Sequence, residues 1–261
     1  MDFSYWKRQS ADAPLFPDIK WSKPEQKSQS GKIGIIGGNQ LGFAGVAEAY
    51  STALGTGAGH VRVLLPDILR KTIPAIITDT VFAPTNPSGS LSKDAIAEMS
   101  ALGEWANSIL LIGDAGRSGE TAVVYEQFIQ KYTGQLVLTR DAIDLVKNGS
   151  EMLVERPNTV LIASFAQLQK LFQAVYYPKV LTFSMQLTNL VEAVHKFTIT
   201  YPVTLVVLHK DHIVIAHGGD VTSQVWNSPM LIWRGTVAAK AAAYWLWTPS
   251  KPLEAITSSI L

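Results

Sequence analysis

KIGIIGGNQLGFAGVAEAYSTALGTGAGHVRVLLP, Lys32 to Pro66, decides how the rest of this chain is read. It opens with a short apolar run, Ile33 to Ile36, too brief for a helix and suited to a buried parallel strand. Gly37 and Gly38 break that run, and glycines return at Gly42, Gly45, Gly55, Gly57 and Gly59. Between the two clusters Phe43 to Leu54 predicts a helix of small residues, and His60 to Leu65 a second strand. The pattern is a βαβ unit with a glycine-rich first turn. Such a turn presents free N–H groups at a helix N-terminus and can cradle an anion. Tight turning and close helix–sheet packing ask for the same glycines, so the residues alone leave both roles open.

Downstream, Pro66 to Ile77 predicts a short helix and Asp79 to Ala83 a strand. Ser92 predicts the cap of a helix carrying Ala95, Ile96, Met99 and Leu102. Strands follow at Ile109 to Ile112, Leu136 to Thr139, Thr159 to Ala163 and Leu181 to Phe183, alternating with helices over Thr121 to Lys131, from Asp141, after Ser164, and up to about His195. Leu205 to His209 and Ile213 to His217 flank Lys210-Asp211-His212 as a hairpin. Arg234 to Trp247 predicts an alanine-rich helix ended by Thr248-Pro249. This alternation predicts a three-layer α/β/α fold, a mostly parallel central sheet with helices on both faces. Residues 1–30 read as an N-terminal arm, aromatic and proline-bearing without a period, expected to lie on the body or on a second subunit. Residues 31–261 read as one domain.

The bulk numbers exclude several classes. With 261 residues, 47% hydrophobic and 16% charged, the chain can bury a large core. A formal net charge of +1 gives no reason to expect nucleic acid or an anionic membrane as partner. There is no cysteine, hence no disulfide and no thiolate chemistry. The most apolar late stretch, Met230 to Trp247, is short for a membrane span and interrupted by Arg234 and Lys240. The polar first thirty residues lack the apolar segment of a signal peptide, so a cytoplasmic location is expected.

Ligands of such sheets sit beyond the carboxyl ends of the strands. Gly38 to Gly45, Asp114 to Arg117, Arg140 with Asp141, Ser164, His209 with Lys210, and Trp233 to Thr236 all fall there. No metal-ligand pattern, nucleophile elbow or P-loop is present. Gly34, Gly37, Gly38 and Gly42 miss the spacing of a dinucleotide-binding G-x-G-x-x-G.

The stretch GKIGIIGGNQLGFAGVAEAYSTALGTGAGHVRVLLPD resembles, without a gap, the opening of the ADP/ATP-dependent NAD(P)H-hydrate dehydratases, ribokinase-like enzymes that repair hydrated nicotinamide cofactors. Later segments match that family in order: LLIGDAGR at its G-P-G-x-G loop, VLTRDAIDLV at its D-A-D-A-L segment, VLIASFAQL at its T-P-H-P-G-E. VVLHKDHIVIA stands at its Lys-Gly strand and WRGTVAAKAAAYWLW at its G-x-G-D helix. The resemblance implies a ribokinase-like fold and self-association into a homo-oligomer. It implies substrate contacts at Gly45, Gly116 and Ser164, and ATP or ADP contacts at His209, Lys210, Arg234 and Gly235. It further implies NAD(P)H hydrate as substrate; no metal site is expected, since the residues show no ligand pattern.

The motifs depart from the family where chemistry is expected. Thr236 replaces the family's catalytic Asp, Trp233 occupies space a phosphate would need, and Ser164 and Gln167 replace a His and a Glu. Of the two acidic positions in D-A-D-A-L, Asp141 remains. The expectation is therefore a divergent, catalytically impaired relative acting by binding or assembly. The alternatives are an active nucleotide-dependent dehydratase, in which Asp114 or Asp141 takes over the lost carboxylate, and a small-molecule kinase of the same fold.

Overall fold

The computed structural model describes residues 3–261. Ten strands form one sheet: β1 (Trp6–Arg8), β2 (Lys32–Gly37), β3 (His60–Pro66), β4 (Thr80–Ala83), β5 (Ser108–Gly113), β6 (Gln135–Thr139), β7 (Thr159–Ser164), β8 (Thr204–His209), β9 (His212–His217) and β10 (Asp220–Val225). Their spatial order is β1-β10-β9-β8-β7-β6-β5-β2-β3-β4. Every neighbouring pair is parallel except β8–β9 and β9–β10. The helices are α1 (Ala44–Thr56), α2 (Ile96–Trp105), α3 (Gly119–Lys131), α4 (Asp141–Leu145), α5 (Ser150–Glu155), α6 (Phe165–Ala174), α7 (Leu187–Thr200), α8 (Pro229–Trp233), α9 (Thr236–Trp247) and α10 (Pro252–Ser259).

Alternate side chains of each strand enter opposite cores, as the pleat requires. Leu110 and Ile112 face a core shared with α1, α8, α9 and α10, while Ile109 and Leu111 face the one built by α2 to α7. Both faces are thus covered. This explains why the strands read as continuous apolar runs and not as alternating ones. The α/β/α layering read from the sequence is the observed architecture.

Several local expectations change. Leu181 to Phe183 is loop, because β7 and β9 already occupy both edges of β8; Leu181 is buried there without joining the sheet. After β3 the expected helix shrinks to a single 3-10 turn, Asp67–Leu69. Pro74 biases its predecessor away from helical angles, so no longer helix can form there. The last long helix begins at Thr236 and not at Arg234, since Gly235 takes a left-handed φ of 90° between α8 and α9. The strand β10 and the helix α10 had no counterpart in the sequence reading. The N-terminal segment lies on the body. β1 extends the sheet beside β10, the Trp6 indole N–H donates to Ser223 Oγ at 2.9 Å, and Gln9 donates to the carbonyl of Thr257 at 2.8 Å.

Candidate functional site

Strand order reverses between β2 and β5, since the chain runs from β2 outward to β3 and later returns to β2's other side. The crevice beyond those two carboxyl ends is where open α/β sheets take ligands. Here the glycine-rich turn is closed by its own backbone: Gly38 N–H donates to Gly113 O at 2.9 Å, and Asn39 and Gly42 exchange N–H···O bonds of 3.0 Å each. Gly45, the second residue of α1, donates its N–H to Asp114 Oδ2 at 2.6 Å. The anion cradled at this helix N-terminus is the chain's own carboxylate.

Arg140 completes the closure. Its guanidinium pairs with the other oxygen of Asp114 and lies against Gly45, so that a Cβ at position 45 would collide with Arg140 and approach Asp114 Oδ2 to 2.9 Å. Glycine is required there for close approach. The neighbouring Asp141 accepts the N–H groups of Asp114 at 2.8 Å and Ala115 at 3.1 Å. Asp114 and Arg140 hold left-handed φ values of 54° and 57°, strain that the interlocked loops sustain at the mouth of the crevice. Behind them Tyr125 is fully buried. Burial first, then the charges of Asp141 and Asp114, push its phenol well above the usual range and keep it protonated.

Ser164 and Gln167 form a capping box on α6. Ser164 Oγ accepts the Gln167 N–H at 3.1 Å, and Gln167 Oε1 accepts the Ser164 N–H at 3.0 Å. Gln167 Nε2 also donates to Arg140 O and to Asp144 Oδ2, both at 2.7 Å, and Lys170 pairs with Asp144 at 3.0 Å. His209 and Lys210 both turn to the carbonyl of Met185, at 3.0 and 3.2 Å, and His209 is buried against Phe165. Gly116 has φ +74° and sits beside Ser90 and Asn39.

At the start of α9 the cap residue is Gly235, not Thr236, and no side chain caps that end. A Cβ on Gly235 would overlap Ile112 and come within 3.5 Å of Gly45 O, so α1 and α9 converge at their N-termini. Thr236 donates its hydroxyl hydrogen to Glu48 Oε1 at 3.2 Å. Arg234 is exposed and has no ion-pair partner among the described residues. The sequence reading missed Glu48, although it is the sole charged residue of α1.

The sequence-proposed residues therefore fall into groups. Asp114, Gly116, Arg117, Arg140, Asp141 and Ser164 line one cleft of about 700 Å³, together with Asn39, Gln167, Lys170 and Trp233. A second cavity of about 600 Å³ continues past Gly116 and Arg117 toward Lys147 and Asn148. Gly45 is covered by Arg140, and His209 and Lys210 are absent from both linings. Among the described residues no cluster of three or more His, Asp or Glu side chains could hold a metal ion, and no helix is long and apolar enough to cross a membrane. The cleft brings Arg117, which has no ion-pair partner among the described residues, and an exposed Trp233 ring to one surface, which suits an anionic ligand with a flat ring.

Comparison with solved structures establishes the ribokinase-like fold. A ribokinase-like superfamily protein from Enterococcus faecalis V583 matches 100% of this chain and 87% of its own, with a TM-score of 0.75 and 16% identity. The ADP/ATP-dependent NAD(P)H-hydrate dehydratase of Bacillus subtilis, crystallised with ATP and Mg²⁺ and soaked with CoA, matches 95% of this chain and 86% of its own, with a TM-score of 0.65 and 12% identity. By sequence the chain is 28% identical over 155 residues to the bifunctional NAD(P)H-hydrate repair enzyme Nnr of Methanothermobacter thermautotrophicus. That match covers 58% of this chain and 30% of the relative, so the chain spans less than a third of the relative it matches. No family model matches the chain.

Proposed function

We propose that this chain is a divergent relative of the nucleotide-dependent NAD(P)H-hydrate dehydratases that binds a nucleotide-derived anion in the cleft at the carboxyl edge of its sheet, with dehydration slowed. One observation carries the reading. The first residue of α9 is Thr236, a hydroxyl, while the carboxylates expected to replace the lost one are committed elsewhere: Asp114 to Arg140 and Gly45, Asp141 to two backbone N–H groups. Each oxygen of both carboxylates already has a hydrogen-bond or ion-pair partner within the chain, so neither is turned toward a ligand's proton. The cleft itself supports binding, through Arg117, Lys170 and the half-exposed ring of Trp233.

Calorimetry with ADP, ATP and NADH tests the binding. Trp233→Ala and Arg117→Gln are each expected to weaken the ligand about tenfold, or about 1.4 kcal/mol. Turnover of hydrated NADH, followed at the reduced-nicotinamide absorbance, is expected to run roughly 10²–10⁴-fold below the Bacillus subtilis dehydratase assayed alongside. Equal rates would end the reading of slowed chemistry, and no heat with any of the ligands would end the binding.

Self-association is proposed through the N-terminal segment, where Trp21 is 86% exposed, and not through α9, where Trp245 is 2% exposed within its own chain. Light scattering of Trp21→Ser against the unaltered chain is expected to show a smaller mass.

A further inference from the structure

The amino edge of the sheet, opposite the cleft, holds another hollow. A cavity of about 580 Å³ opens there, between the starts of β2, β5, β6 and β7 and the last turn of α9. That is within the size range of small-molecule sites. No charged side chain lines it. Its polar side chains are carboxamides, from Gln29, Asn107, Gln135 and Asn158, and Leu246 and Trp247 give it an apolar wall. The Lys23 ammonium, 5.4 Å from the Trp247 ring centroid, is outside the lining and donates to Thr56 O at 2.8 Å. Two of the carboxamides are half used, and the used half fixes which atom is left. Gln135 Nε2 donates to Trp245 O at 3.2 Å; the remaining Oε1 is buried and has no hydrogen-bond partner among the described residues. Asn107 Oδ1 accepts the Lys32 N–H at 2.9 Å, which leaves Nδ2 as a donor with no partner among them. Thr248, 9% exposed between the lining residues Trp247 and Pro249, also keeps an unpartnered buried Oγ1. Folded chains rarely leave a buried acceptor bare, since it has lost water and gained nothing.

We propose that this cavity binds a neutral heterocycle of the nucleobase class, at a site separate from the cleft at the carboxyl edge. The ligand has to offer an N–H donor to Gln135 Oε1 and a ring acceptor to Asn107 Nδ2. β5 and β6 pair Ser108 with Gln135, so Asn107 stands one residue before Gln135's partner. Neighbouring strands lie about 4.8 Å apart, which puts both carboxamides within reach of one edge of a ring. The faces of that ring have to suit Leu246 and the Trp247 indole. A nucleobase with an exocyclic amine beside a ring nitrogen has that edge and those faces. The uncharged lining turns away a phosphate, which needs charge-assisted donors. This sets the site apart from the cleft, where Arg117 and Lys170 offer their charges to an anion.

The test is calorimetry of the full chain with adenosine, which carries the amine and the ring nitrogen and no phosphate. Saturable binding of one adenosine per chain is expected. Adenosine methylated twice at its exocyclic amine has no N–H to give Gln135, and is expected to bind about tenfold more weakly. Asn107→Asp keeps the oxygen that holds the Lys32 N–H and turns the free donor into an acceptor, and is expected to cost about tenfold in adenosine affinity. Gln135→Met keeps the length of the side chain and removes the buried acceptor, with a loss of about the same size expected. The pair of nucleosides needs no altered chain, so it decides the matter even where a variant fails to fold. No binding of adenosine at millimolar concentration would overturn the proposal. So would equal affinity for the two nucleosides, or an adenosine affinity unchanged in both variants, which would put the nucleoside elsewhere on the chain. Adenosine has no anion, so its failure at the amino edge leaves the anion-binding reading of the cleft standing.

Discussion

The starts of α6 and α9 face the same edge of the sheet, yet they are built in opposite ways. At α6 every polar group is tied: Ser164 and Gln167 close a reciprocal box, and Gln167 reaches on to Arg140 and Asp144, which hold Asp114 and Lys170. At α9 the cap is a bare glycine, and one hydroxyl–carboxylate bond from Thr236 to Glu48 is the polar link to the neighbouring helix. Groups that satisfy each other stabilise the fold and have little left for a ligand. A single hydroxyl–carboxylate bond with no cation beside it contributes little to stability. The two helix starts thus differ in how firmly their polar groups are held, and each substitution below asks whether that division holds.

The largest effect is expected at the tied side. Gly45→Ala would drive a methyl group into Arg140 and Asp114, parting the ion pair from the α1 N–H it shields. A loss of about 3 kcal/mol is expected from the urea midpoint, set against Gly119→Ala, where a Cβ meets nothing within 4 Å and the change is expected within about 0.5 kcal/mol. If the two glycine variants were equally stable, the interlock would not be a stabilising element.

Gln167→Ala is expected next, at about 2 kcal/mol. It removes one member of the capping box and the 2.7 Å donor to Arg140 O, which is left with the Ile143 N–H at 3.2 Å. Ser164→Ala should cost about 1 kcal/mol, the ordinary value of a serine cap, without changing ligand affinity by more than about twofold. A tenfold loss of NADH affinity in Ser164→Ala would move this residue from the tied group to the ligand-facing one.

How much of this division could be read from the chain follows from the range over which each contact acts. The unit from Lys32 to Pro66 is legible because its signals are local: an apolar run, a glycine turn, a small-residue helix that Gly57 ends in the left-handed conformation, and a second run. The cap at Ser164 was equally visible, since its partner lies three residues on. Leu181 to Phe183 misled because a short apolar run does not say whether an open sheet edge awaits it. The anion held at Gly45 left two answers open in the sequence. Asp114, 69 residues away, decides between them. Glu48 was the least legible, because its contact with Thr236 spans 188 residues and its one local mark is being the sole charge on a helix of small side chains.

Thr236→Val is expected to change stability least, by under about 0.5 kcal/mol in urea unfolding. Valine keeps the shape and the helix position, and the exposed part of Glu48 exchanges a hydroxyl partner for water. The carboxylate also keeps its favourable place near the positive end of the α9 dipole, so little is left uncompensated. The sign for Glu48→Gln is the same on stability grounds, a small loss of charge–dipole attraction of about 0.5 kcal/mol that high salt should shrink further. A cost above about 1.5 kcal/mol for Thr236→Val would make the hydroxyl–carboxylate bond a clamp of the kind seen at α6. The contrast between the two helix starts would then be lost.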